Sequence, residues 1–114
     1  MNVAYHESLH DLDKKNQKKL NHLRHAQITL MASQHPLYMK CTQEYKIGEA
    51  AAFAQYVMNA YYEGSKNEAL RLIDEYNNSN LGISFFFNEE KRRMEVVGTK
   101  HFVKYKKAKS PINL

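Results

Sequence analysis

The sequence predicts an α+β fold: three helices followed by a small antiparallel β-meander of two or three strands. Three observations carry that prediction. Apolar residues recur at helical spacing as far as about Tyr76. The stretch "EGSKNE", residues 63–68, ends one helix and opens the next within a residue or two. After Gly82 the apolar period falls from 3.6 to two.

The first helix is expected from about residue 8 to 33. Ser8 can cap its start, with Asp11 at the third position. Leu9, Leu12, Leu20, Leu23, Leu30 and Met31 follow at helical spacing, interrupted by the polar run "DKKNQKK" at 13–19. A break near 13–16 is therefore expected. Pro36 disfavours helix at His35 and stops the element.

The second helix is the clearest. Thr42 can cap it, and Ile47, Ala50, Ala51, Ala54, Val57, Met58 and Tyr61 form an i, i+3, i+4, i+7 stripe. Phe53, Tyr56 and Ala60 widen that stripe, so this helix should be central. Gly64 sits where a left-handed C-cap belongs. Ser65 and Glu68 then form a capping box for a third helix through about Tyr76, stopped by "NNSN" at 77–80.

The strands are expected at Ile83–Phe87, Met94–Val97 and His101–Tyr105. "NEEK" at 88–91 is the first turn and Gly98-Thr99 the second. The residues 110–114 read as a frayed tail, and 1–114 as a single domain.

With 43% apolar and 25% charged residues the composition is globular. No apolar run approaches the roughly 20 residues of a membrane span. "MNVAYHESLHD" lacks the basic and apolar regions of a signal peptide. The single Cys41 cannot form an internal disulfide. A cytoplasmic protein with no membrane partner is the expectation. The Lys-, Asn- and Tyr-rich composition suits an AT-rich genome, such as a low-GC bacterium or its phages.

Charge is unevenly spread. Residues 1–40 carry six basic and three acidic side chains, a net +3. Residues 41–80 carry three basic and six acidic, a net −3. Residues 81–114 carry eight basic and three acidic, a net +5.

Three candidate chemistries follow. The histidines come first, since His6, His10 and Asp13 are spaced i, i+4, i+7, as metal ligands on one helical stripe would be. This reading is set below that of solvated surface histidines, because Ser8 as N-cap leaves His6 outside the helix and His22 and His25 lie around the helix from His10. Neither an H-E-x-x-H signature nor a Cys pair is read in the chain to raise it, and no metal or other cofactor is expected. Cys41 with His35 nearby lacks a third group to orient a nucleophile. No enzyme is expected.

The second chemistry is electrostatic. Lys14, Lys15, Lys18 and Lys19, together with Arg92, Arg93, Lys100, Lys104, Lys106 and Lys107, could neutralise phosphates, with His101, Phe102 and Tyr105 available to stack on bases. Helix-turn-helix docking is rejected, since Glu68, Asp74 and Glu75 make the helix after "EGS" acidic.

The third is aromatic. Neighbouring side chains on a strand face opposite ways, so Phe85, Phe86 and Phe87 cannot share one core. With Phe86 inward, Phe85 and Phe87 point out and join Tyr62 and Tyr56 as anchors for another protein or a second copy of the chain. The function expected is thus a non-enzymatic regulator or inhibitor that binds a protein, with a nucleic-acid-handling machine as a natural target and the acidic middle (Glu63, Glu68, Asp74, Glu75) as a mimic of its nucleic acid. Sequence-independent nucleic-acid binding is the alternative, and a histidine metal site ranks below both.

Overall fold

In a computed structural model, residues 21–107 are described. Three α-helices precede a three-stranded antiparallel sheet, the α+β arrangement read from the sequence. The helices are α1 (His22–Ser33), α2 (Gln43–Tyr62) and α3 (Lys66–Asn78), with a 3-10 helix at Pro36–Lys40 between the first two. The strands are β1 (Phe85–Asn88), β2 (Arg93–Val96) and β3 (Phe102–Lys104), in spatial order β1-β2-β3.

The first helix differs from expectation. α1 starts at His22, so no helix runs through position 21. Asn21 is extended, at φ −125° and ψ 175°, and its side chain accepts a hydrogen bond from the backbone of Arg24 at 2.8 Å. An Asn in that conformation satisfies one orphan amide at the start of a helix. Residues 8–20, with the Ser8 cap and the expected break, lie outside the described residues, as does the 110–114 tail.

The caps of α2 follow the sequence. Thr42 accepts from the Tyr45 amide at 3.1 Å. At the other end Gly64 adopts φ +110°, Ser65 N–H donates to the Ala60 carbonyl, and Gly64 N–H donates to that of Tyr61. This 6→1 and 5→2 pair is a Schellman motif, and its positive φ is why glycine stands at 64. The cap of α3 does not follow, because Ser65 occupies the N-cap position but makes no side-chain cap hydrogen bond.

As the width of its stripe implies, α2 is central, packed against α1, α3 and the sheet. The core includes Ala50, Phe53, Ala54, Val57 and Met58 of α2, Leu72, Ile73 and Tyr76 of α3, and Phe85 and Met94 of the sheet. Phe53 and Tyr76 stack with centroids 4.5 Å apart, and Phe85 lies 5.3 Å from Tyr76. Aromatic burial of this kind supplies much of the driving force for a small domain.

Polar clamps fix the sheet on the helices. Asn77 accepts from Phe85 N–H at 2.8 Å and donates to the Phe85 carbonyl at 2.9 Å, as a neighbouring strand would. Gln55 donates to the Lys104 carbonyl, and the Tyr61 hydroxyl to Glu89.

The direction of the phenylalanines is the reverse of the expected one. Phe85 is 3% exposed and Phe86 is 58% exposed. The register pairs Phe85 with Val96 and Phe87 with Met94, putting these four on the helix side. Phe86, Glu95 and Phe102 form a cross-strand row on the other side. Alternation along the strand was right, but period alone cannot say which of two faces meets the helices.

Candidate metal centre

At its N-terminal end α1 carries two histidines one turn apart, His22 and His25. Both are fully buried, and this corrects the expectation of solvated surface histidines. They face the C-terminal half of α2. The His25 ring stacks on Tyr56, with centroids 5.2 Å apart and planes inclined by 28°. His22 Nε2 lies 3.4 Å from Oε1 of Glu63, the residue that closes α2.

That contact is unusual. Among the described residues neither ring nitrogen of His22 has a hydrogen-bond partner, so the approach to Glu63 is close without being an aligned hydrogen bond. Buried polar atoms are nearly always satisfied, and an orphaned imidazole beside a carboxylate calls for a reason. Imidazole and carboxylate are also the ligand types that zinc takes. Among the described residues no three His, Cys, Asp or Glu side chains cluster as metal ligands.

An aromatic wall stands near the same end of α2. Tyr62 lies 4.4 Å from Tyr105 and 5.0 Å from Tyr61, and the Arg92 guanidinium sits 5.1 Å over the Tyr62 ring. Burial raises the Tyr62 phenol above its ordinary value, while the charge of Arg92 pulls it back. At the other end of α2, an apolar groove of about 480 Å³ opens between Ile47, Ala51, Ile83 and Phe102.

The sequence-predicted residues scatter. Phe85 and Tyr56 are buried in the core, so as placed they cannot act as surface anchors. Phe87 and Tyr62 are half-buried in the aromatic wall. Lys100, Lys104, Lys106 and Lys107 are exposed, as is Arg92, whereas Arg93 is half-buried, paired with Glu95 at 2.8 Å and lying over the Phe102 ring. Lys14, Lys15, Lys18 and Lys19 lie outside the described residues. The Cys41 thiol donates to the Leu37 carbonyl, and His35 Nδ1 accepts from the Leu37 amide.

The decisive residues precede α1. Positions 6–10 read His6-Glu7-Ser8-Leu9-His10, an H-E-x-x-H sequence. In that pattern two histidines hold zinc and the glutamate serves as general base, which is the signature of a zinc metallopeptidase. The expectation that the chain has no H-E-x-x-H signature is therefore wrong: His6 and His10 were paired, but Ser8 was given to a helix cap and Glu7 was left without a role. Reading the five positions together was the missed signal. Their geometry lies outside the described residues.

A model of the metallopeptidase toxin 2 family matches residues 1–84, about three quarters of the chain, and the chain belongs to that family. No match was found among the curated proteins or the solved structures. Family membership overturns the expectation of a non-enzymatic regulator or inhibitor, and with it the nucleic-acid alternative. The family is one of peptidase toxins. The matched residues contain the H-E-x-x-H sequence, α1, α2 and α3, and stop just before β1.

Proposed function

We propose that this chain is a metal-dependent peptidase that acts as a toxin by cutting peptide bonds in proteins of a target cell. The observation that carries the reading is His6-Glu7-x-x-His10 lying within the residues matched to a metallopeptidase toxin family. Support from the structure is chemical: a buried, orphaned imidazole at His22 beside the Glu63 carboxylate offers further donors of the type such a site uses.

His6 and His10 would hold the metal. Bound there, a zinc ion would polarise the scissile carbonyl and make its water a nucleophile near neutral pH. Glu7 would serve as the general base, taking a proton from the attacking water as its oxygen bonds to the carbonyl carbon. Glu7 would then give that proton to the amide nitrogen as the C–N bond breaks, leaving a carboxylic acid and an amine, and the acid's proton passes to the amine to give carboxylate and ammonium. The Glu7 carboxylate is thereby regenerated, and no oxidant or reductant is consumed.

The test is to incubate the purified full chain with a bacterial lysate and map new protein N-termini. New N-termini that vanish with a chelator and return with added zinc are expected. A set indistinguishable from the lysate alone, or one indifferent to chelation, overturns the reading.

A further inference from the structure

We infer that the outer face of the sheet docks an acidic polypeptide, with Phe86 as the anchor and the exposed lysines of β3 and its flanks as a cationic rim. The inference goes beyond the peptidase reading and does not rest on it. It concerns residues 85–107, which lie past the residues matched to the family.

Strand pairing sets the face. Phe86, Glu95 and Phe102 form one row across it. The Val97 N–H donates to the Ser84 carbonyl at 2.9 Å, which carries the ladder one residue past β2 and turns Val97 to the same side as Glu95. Among the described residues the exposed large apolar side chains are Met31, Leu37, Ile47, Phe86, Val97 and Phe102. The first three stand singly, on α1, the 3-10 helix and α2. Single exposed apolar residues need no explanation, but three gathered on one sheet face do.

The face is also held in shape. The Arg93 guanidinium meets Glu95 at 2.8 Å and lies 4.2 Å from the centroid of the Phe102 ring. Asn88 donates to the same Glu95 oxygen. Side chains already ordered lose little freedom on binding.

Charge selects the occupant. Residues 85–107 carry seven basic and three acidic side chains. Of the acids, Glu95 is paired with Arg93, and Glu89 accepts from the Tyr61 hydroxyl on the helix side. Lys104 pairs in register with Arg93, which places it on the outer side, and Lys100, Lys106 and Lys107 are exposed at the two ends of β3. A second copy meeting this face about a twofold axis would set these cations against their own counterparts. Nucleic acid or an anionic bilayer would suit the lysines but press phosphates on Glu95, whose carboxyl Arg93 holds below its ordinary value. A polypeptide meets all three demands: a donor for Glu95, apolar side chains for Phe86 and Val97, and carboxylates for the rim. An apolar centre within a polar rim is how protein interfaces are built.

The test is fluorescence anisotropy of a labelled Glu–Tyr copolymer titrated with the full chain, beside polyglutamate of equal length. The copolymer should bind more tightly than polyglutamate. Phe86→Ala should weaken copolymer binding by about 10-fold or more, as loss of an interface anchor does. Met31→Ala, at an exposed apolar residue elsewhere, should leave it unchanged. Lys104→Glu should weaken both probes and flatten the dependence on salt. Val97→Thr gives a second reading of the apolar centre should Phe86→Ala fold poorly, and an unchanged affinity there counts equally against the inference. No binding of the copolymer, or equal binding of both probes with Phe86→Ala as good as the parent, overturns it. So does tighter binding of a single-stranded DNA oligomer or of phosphatidylglycerol vesicles through the same residues. A parent dimer that Phe86→Ala dissociates overturns it as well, since the face then belongs to a second copy. Binding is read apart from hydrolysis, so a chain that cuts no protein can still pass, and an active peptidase can still fail.

Discussion

At the residue scale the three consecutive phenylalanines show what a sequence can and cannot fix. Their alternation was legible, because a strand has a period of two. Their polarity was not, because it depends on which face α2 and α3 present to the sheet. Phe85 is 3% exposed against Phe53 and Tyr76, whereas Phe86 is 58% exposed. Phe85→Ala should therefore cost about 3–5 kcal/mol of stability. Phe86→Ala should stay within about 0.5 kcal/mol, as surface substitutions do. Urea denaturation of the two variants checks this, and equal losses would mean that the register or facing of β1 is wrong. The histidines teach a related lesson. Spacing alone placed His22 and His25 on a solvated surface, but burial depends on elements that pack from elsewhere in the chain.

At the element scale the order of helices and strands was legible nearly throughout, because Gly64, Pro36 and Gly98 punctuate the chain where the backbone needs them. Gly64 at φ +110° and Gly98 at φ +79° occupy conformations that L side chains rarely adopt. Cap strength was less legible. Ser65 with Glu68 reads as a stronger start signal than Thr42, yet only Thr42 makes the side-chain hydrogen bond. Ser65 has φ −95° and ψ 47°, away from the extended region in which a cap hydroxyl reaches the helix amides. The Schellman turn that ends α2 sets that backbone, and it wins over the local preference of the capping box. Thr42→Ala should cost about 1 kcal/mol, and Ser65→Ala only a few tenths. Denaturation midpoints measured side by side would refute this if Ser65→Ala proved the more harmful. The start of α1 was misplaced because a polar run gives no phase information, and Asn21 was not read as a cap.

At the scale of the whole molecule, fold and function proved to be written in different parts of the chain. The apolar pattern of residues 47–105 gave the α+β layout, and the basic ends and aromatic excess suggested an interaction surface. Neither bears on the proposed chemistry, which rests on five residues near the N-terminus. Among the described residues no helix is long and apolar enough to cross a membrane. The family match covers the H-E-x-x-H sequence and all three helices but not the sheet, whose Phe85 and Met94 complete the core with the helices. Charge sums and aromatic counts are properties of a surface; a metal centre depends on a few donors at fixed spacing, and composition dilutes them.

The most direct measurement is the hydrolytic rate and zinc content of Glu7→Gln beside the parent chain. The account predicts zinc bound as in the parent, since glutamate is not a ligand in this pattern, with hydrolysis reduced by about 10²–10⁴-fold for want of a general base. Undiminished hydrolysis by a fully zinc-loaded Glu7→Gln chain would contradict it.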